Sequence, residues 1–288
     1  MTTREFPRFG PGFARGLTID ERDGILRCLS ADRARELEDF SRQYRAVRDQ
    51  DGYRVRSAEY YLALPWTPHD DPQHAIWTVR QRSFERFRTM VRSRFHRQPA
   101  SILDLGAGSG WLSHRMSQDG CPVVAVDIHD DDVDGLGAAQ HYGNGFCLVQ
   151  ADFDDLPFAP RQFDVVVFNG SLHYAPNVRA TLTRVRSLVA PGGIIAVIDS
   201  PMFECPDAGR SMRERSRERF RDQYGVANPV LPGEGFLLFS SLADTARALG
   251  FEAHFFESRG GMQWTLGRIA GRVRHGIQPP SFGVWWAA

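Results

Sequence analysis

The stretch Ile102-Leu103-Asp104-Leu105-Gly106-Ala107-Gly108-Ser109-Gly110 constrains this chain more than any other, because a short apolar run passes directly into a turn in which every second residue is glycine. It reads as a buried strand, a glycine-rich turn and the start of a helix. Glycine lets the backbone approach a ligand closely, and the N-terminus of the following helix adds a favourable dipole. A dinucleotide-binding turn reads Gly-x-Gly-x-x-Gly and would need its third glycine where Trp111 stands. Here the spacing is Gly-x-Gly-x-Gly, preceded by an acid.

The surrounding pattern agrees with that reading. After Pro99, short apolar runs at Ser101–Leu105, Val123–Val126, Gly145–Val149, Phe163–Phe168 and Ile194–Ile198 alternate with helical spacing. Such alternation predicts βαβ units and a doubly wound, mostly parallel α/β sheet, here of seven strands. A helix near Leu242–Leu249 ended by Gly250, a strand near Phe251–Phe256 and a last apolar segment at Phe282–Trp286 would complete it, the last as a strand closing the sheet edge.

Two acidic positions follow the turn at informative distances. Asp127 ends the run Val123-Val124-Ala125-Val126 about 20 residues on, where ribose recognition requires an acid. A carboxylate there can accept from both ribose hydroxyls, each charge-assisted bond contributing on the order of 1.5–3 kcal/mol. Directly after the third strand comes Ala151-Asp152-Phe153-Asp154-Asp155-Leu156-Pro157-Phe158. An acid beside an aromatic ring can take an adenine amino group while the ring covers the base.

The order Asp-x-Gly-x-Gly-x-Gly, strand-end Asp, Asp-x-x-x-Leu-Pro-Phe, then Leu188–Gly193 resembles class I S-adenosylmethionine (SAM) dependent methyltransferases, within them the small-molecule type 11 group. The resemblance is strong over Ser101–Asp199 and weak over Ser241–Phe256. It implies SAM as cofactor, with Asp104 and Gly106 holding the methionine end, Ala107, Gly108 and Gly110 in the turn, Asp127 at the ribose, the adjoining Ile128 among the cofactor-binding residues, Asp152 and Phe153 at the adenine, and Asn169 lining the methionine side through its backbone. It implies methyl transfer to an O, N or C atom of a small-molecule acceptor. A SAM-fold cyclase, decarboxylase or regulatory binder is the alternative, since fold does not settle reaction, with an RNA methyltransferase as a more distant one.

The fourth strand runs into Asn169-Gly170-Ser171-Leu172-His173-Tyr174, and open α/β sheets bind ligands at strand C-terminal ends. His173 is therefore the general-base candidate, needed only where the acceptor must lose a proton, with Tyr174 beside it. Nucleobase amino-methyltransferases carry Asn or Asp followed by Pro-Pro and an aromatic at this point, which this chain lacks. Upstream, Tyr60, Tyr61 and Trp66 are candidates for an acceptor pocket or for cation–π shielding of a sulfonium.

Residues 1–98 read as an N-terminal extension to a domain over 99–288. Its first thirty residues, with Pro7, Gly10, Pro11, Gly12 and Gly16, are irregular. Helices are expected over Ala31–Val47, capped by Ser30, and over Gln73–Phe95. An insertion at about 200–240, with the loop Asn228–Gly235, is expected to act with Tyr60–Trp66 as a lid. Within it, Arg210, Arg213, Arg215, Arg217, Arg219 and Arg221 interleave with Glu214, Glu218 and Asp222, which reads as a solvated, charge-laced helix.

Composition narrows the classes. All 35 basic residues are Arg and are balanced by 35 acidic ones, so no net positive field marks a nucleic-acid surface. Cys28, Cys121, Cys147 and Cys205 are widely spaced, which speaks against a disulfide framework or a structural metal. No apolar run reaches the roughly 20 residues of a membrane span, and Met1–Arg15 lacks a signal-peptide core, so a cytoplasmic location is the default expectation.

Overall fold

The computed structural model describes residues 12–14, 19–52, 57–143, 145–225, 233–275 and 278–288. Pro7, Gly10, Pro11 and Gly16 of the lead-in and residues 228–232 of the Asn228–Gly235 loop lie outside the described residues.

The first described strands are a short hairpin, β1 (Asp20–Arg22) and β2 (Ile25–Arg27). Helix α1 (Ala31–Glu36) starts at Ser30, whose hydroxyl accepts from the Arg33 amide at 3.2 Å, and α2 (Glu38–Gln50) follows. The spacing predicts one helix here; the break falls at Leu37, whose φ of −88° and ψ of −4° stay near helical values. Apolar periodicity does not register such a break because the buried side keeps its phase. Helices α3 (Ala58–Ala63) and α4 (His74–Arg94) complete the N-terminal part.

The alternating region then unfolds in order: β3 (Ile102–Leu105), α5 (Trp111–Gln118), β4 (Val123–Asp127), β5 (Cys147–Gln150), β6 (Phe163–Asn169), α6 (Val178–Arg186) and β7 (Val189–Ile198). A small parallel pair, β8 (Met202–Phe203) and β9 (Leu237–Leu238), brackets the charged helix α7 (Pro206–Tyr224). Helix α8 (Phe239–Ala248), β10 (Ala253–Glu257), α9 (Met262–His275) and β11 (Gly283–Ala287) follow. Of α7, only Ala208 and Gly209 are buried, against Phe236.

The main sheet has the order β1-β2-β5-β4-β3-β6-β7-β11-β10. The run from β5 to β10 is the expected seven-stranded core, in which β11 alone runs against the rest and pairs antiparallel with β7 and β10. The β1–β2 hairpin joins it through a parallel β2–β5 pairing and extends the sheet to nine strands. This corrects the reading of the first thirty residues as wholly irregular; three-residue strands are too short for an alternating pattern to stand out. A second correction concerns Phe282–Trp286: β11 lies inside the sheet between β7 and β10, and β10 forms the edge. Val284 and Trp285 are buried on opposite faces, as in a strand covered on both sides.

Alternation along each strand divides the core. Ile102, Val123, Val165, Ile194 and Ile198 pack with Phe84 and Phe87 of α4 and Leu112 and Met116 of α5 on one face. Leu103, Val124, Val166, Ile195 and Val197 pack with Leu182 and Val185 of α6 and Leu242 and Ala246 of α8 on the other. Strand order runs one way from β3 through β4 to β5 and the other way from β6 to β7. The reversal between β3 and β6 leaves a crevice beyond their C-terminal ends, where open α/β sheets take ligands.

Candidate active site

Two turns flank that crevice. After β3, Gly106, Gly108 and Gly110 have φ of +74°, +53° and +77°, conformations that L side chains rarely adopt. Their reasons differ. A Cβ on Gly106 would stand 2.3 Å from the Ser171 Cβ and 3.2 Å from the Phe153 ring, so this glycine lets the turn pack against the loop after β6. The Ser171 hydroxyl donates to the Leu105 carbonyl at 2.5 Å and ties the two strand ends together. A Cβ on Gly108 would meet only the Asp134 carbonyl oxygen, at 3.5 Å, and otherwise open space beside the cavity. Gly110 caps α5 in the left-handed conformation, against the Phe146 ring.

Asp127, at the end of β4, accepts from the Gly108 amide through Oδ2 and from the His129 amide through Oδ1, both at 2.8 Å. Burial pushes its carboxyl pKa up, against the opposing pull of His129 and the two amides. Asp152 accepts from Arg33 Nε at 2.6 Å and from the Asp154 amide at 3.1 Å. The cavity between them is lined by Gly106, Ala107, Gly108, Asp127, Ile128, Asp152, Phe153 and Asn169 of the residues expected at the cofactor, and by Tyr60, Tyr61 and Tyr174 of the other candidates.

Four candidates do not line it. Gly110, between the lining residues Ser109 and Trp111, faces Phe146 and Tyr142 instead. Asp104 is wholly buried, its Oδ2 accepting from Ser113 Oγ at 2.7 Å while Oδ1 has no partner among the described residues, and burial pushes its pKa up to about 7. Trp66 is 39% exposed and stacks under the Arg115 guanidinium. His173 is hydrogen-bonded through Nδ1 with Ser200 Oγ at 3.1 Å, and burial together with the Arg80 charge lowers its pKa to about 4. Its carbonyl accepts from the Gly235 amide, which clamps the loop after β6 to the far end of the insertion.

The remaining walls come from residues that sequence reasoning did not single out for a site. Arg33 and Leu37, with Phe40, Tyr44 and Arg48 of α2, line one side. The Arg48 guanidinium forms a two-pronged pair with Asp134 at 2.7 and 2.9 Å, and Tyr44 stacks on His129 at 5.1 Å. Tyr44 also meets Tyr174 edge-on, with ring centres 6.2 Å apart. Trp77 and Arg80 of α4 add a third side. The apolar face of the Ala31–Val47 helix signal contained Leu37, Phe40 and Tyr44, but nothing local says what such a face covers. Of the insertion at 200–240, no described residue lines the cavity. Arg219 and Tyr224 of α7 instead hold Asp51 at the end of α2 from outside. Among the described residues, no cluster of three or more potential ligands could hold a metal ion, and no helix is long and apolar enough to cross a membrane.

Residues 103–197 match the family model described as methyltransferase domain. Over these residues the chain is similar to class I SAM-dependent methyltransferases of the type 11 group. Its relatives differ in acceptor. The malonyl-[acyl-carrier protein] O-methyltransferase of Enterobacter lignolyticus is 28% identical over 120 residues, 41% of this chain and 45% of that enzyme. The sarcosine/dimethylglycine N-methyltransferase of Halorhodospira halochloris is 26% identical over 241 residues, 77% of each chain. The chain thus spans less than half the length of the first curated relatives, 45% in one case and 39% in another. Among solved structures, magnesium protoporphyrin IX methyltransferase from Synechocystis PCC 6803 with bound S-adenosylhomocysteine (SAH) superposes with a TM-score of 0.52 at 16% identity, covering 83% of this chain and 97% of that one. That likeness concerns the fold.

Proposed function

We propose that this protein transfers a methyl group from SAM to a small-molecule acceptor. The observation that carries the reading is the Gly108–Asp127 unit at the mouth of the crevice: a glycine whose missing side chain leaves open space, hydrogen-bonded to a strand-end carboxylate in the same cavity wall. The donor and acceptor set suits an adenosyl group. Asp127 offers its carboxylate to the ribose hydroxyls, Ile128 and Phe153 offer apolar surface to the base, Asp152 accepts from its amino group, and the turn of Gly106 and Ala107 with Asn169 borders the methionine side.

SAM, when bound, supplies an electrophilic methyl group on a sulfonium, and the chain's own work is chiefly alignment and exclusion of water. Tyr44, Phe40 and Tyr174 form an aromatic wall suited to a cationic sulfonium and to a flat or apolar acceptor. Helices α1 and α2, latched through Arg33–Asp152 and Arg48–Asp134, act with α3 as the cover, and α7 braces that cover through Asp51. Of the N-terminal part, α1, α2 and α3 then serve the site as cover, while the β1–β2 hairpin and α4 pack with the sheet that forms the binding domain.

Calorimetric titration with SAM and SAH tests the cofactor half of the reading. Incubation with isotopically labelled SAM and cell extract, followed by mass spectrometry, tests the rest: SAH and a labelled small molecule are expected. Tight binding without SAH production from any extract would favour the non-transferring alternative.

A further inference from the structure

The cavity wall contains three guanidinium groups among the described residues, and two of them are neutralised. Arg33 is bonded to Asp152 at 2.6 Å and Glu36 at 2.8 Å. Arg48 holds Asp134 with two hydrogen bonds. Arg80 is different: it lines the cavity, yet no described residue accepts a hydrogen bond from it or forms an ion pair with it. Its guanidinium carbon lies 4.7 Å from the centre of the Trp77 ring, one turn earlier on α4. Trp77 is itself fixed, 3% exposed, its Nε1 donating to the Tyr60 hydroxyl at 3.2 Å and its ring edge-on to Trp111.

Stacking occupies the face of a guanidinium, while its five N–H donors lie in the plane and stay available. The side chain has therefore lost much of its freedom without losing its hydrogen-bonding capacity. A charge in that position is felt around it: Arg80 opposes protonation of His173 and favours ionisation of Asp199. Asp199 accepts from Ser83 through Oδ1, its Oδ2 has no partner among the described residues, and it forms no ion pair with Arg80. On the methionine side, Asp104, which the family resemblance assigned to that end, is absent from the cavity wall.

We infer that Arg80, held flat on Trp77, is a carboxylate anchor of the binding cavity, taking the anionic end of a bound ligand in a planar two-pronged pair. A carboxylate matches a guanidinium fork in shape and charge. The inference rests on the SAM reading of the cavity, in which two carboxylates are eligible: the one on the amino-acid end of SAM, or one on the acceptor. The first assigns the residue to cofactor binding; the second makes the acceptor an acid.

The test compares the full-length wild type with Arg80→Met and Arg80→Lys by calorimetry, using SAH, 5′-methylthioadenosine, which lacks the amino-acid end, and benzoate and decanoate added to SAH-saturated protein. Wild-type binding of SAH and 5′-methylthioadenosine first establishes the cofactor reading independently; binding of neither would sink that reading, and the two acids would then be titrated into free protein. A cofactor anchor predicts that Arg80→Met weakens SAH at least about tenfold and leaves 5′-methylthioadenosine unchanged, with partial rescue by Lys. An acceptor anchor predicts unchanged SAH and loss of benzoate or decanoate binding. Equal weakening of SAH and 5′-methylthioadenosine, or no change with any carboxylate, would overturn the proposal.

Discussion

The Gly108 amide donates to Asp127 Oδ2 at 2.8 Å, so the glycine turn after β3 and the acid ending β4 form one unit. Each was recognisable in the sequence alone, but their hydrogen bond makes the acid a support for the turn as well as a face of the cavity. Removing the carboxylate should therefore be felt twice.

Asp127→Ala is expected to weaken SAM binding at least about tenfold and also to lower the melting temperature of the ligand-free protein, because the Gly108 and His129 amides lose their acceptor. Asp127→Asn keeps one carbonyl oxygen and should fall between. Calorimetry and thermal melts measure the two effects; unchanged affinity in the Ala variant would remove Asp127 from the ribose.

The neighbouring glycines should separate. Gly106→Ala sets a Cβ 2.3 Å from Ser171 and should chiefly destabilise the fold. Gly108→Ala meets open space and carries only the left-handed backbone penalty, on the order of 1–2 kcal/mol, while its methyl group obstructs the ligand. Binding loss beyond stability loss at Gly108, and the reverse order at Gly106, is the expected result of melts and titrations run on both.

The cover depends on the two Arg–Asp latches. Arg48→Met leaves the nine-tenths-buried Asp134 side chain without its guanidinium partner, and amide hydrogen exchange in α1 and α2 should become faster. Ligand-bound wild type should exchange more slowly in the same helices. Identical protection in all three samples would argue that α1 and α2 do not move as a cover.

Buried titratable groups set a pH signature. Asp104 has its pKa raised to about 7 by burial, so the folded protein holds it protonated more strongly than the unfolded chain does. Its contribution to stability is full below the ordinary carboxyl range and is lost as pH rises through about 7. Asp104→Asn should therefore raise the melting temperature at pH 8 and change it little at pH 4, with each kcal/mol worth roughly 2–4 °C. A variant destabilised equally at both values would contradict this account.

His173 carries the opposite shift, down to about 4. If it takes a proton from the acceptor, the acid limb of kcat/KM falls near pH 4 instead of the range of an unperturbed imidazole. His173→Asn, which keeps a polar partner for Ser200, should then remove that limb. A profile of unchanged shape with reduced height would make His173 a positioning residue for the loop that carries Tyr174.

What the sequence by itself determined is the parallel sheet, the glycine turn and the strand-end acids, because these are local: apolar runs of strand length, a turn that only glycine accommodates, and an acid at a fixed distance along the chain. Asp127 and Asp152 were legible in this way, while Asn169 entered through the family resemblance; topology carries the parallel strand ends to the same rim. The tertiary structure alone decided what closes over that rim. Arg33 meets Asp152 across 119 residues and Arg48 meets Asp134 across 86, and no period or motif encodes such partners. It also decided that His173 turns to Ser200, that Asp104 sits beneath the turn with one oxygen unpaired, and that Arg80 rests on Trp77 without a counter-ion among the described residues. Those outcomes depend on which side chains compete for the same buried space and charge, and that competition exists only once the chain is packed.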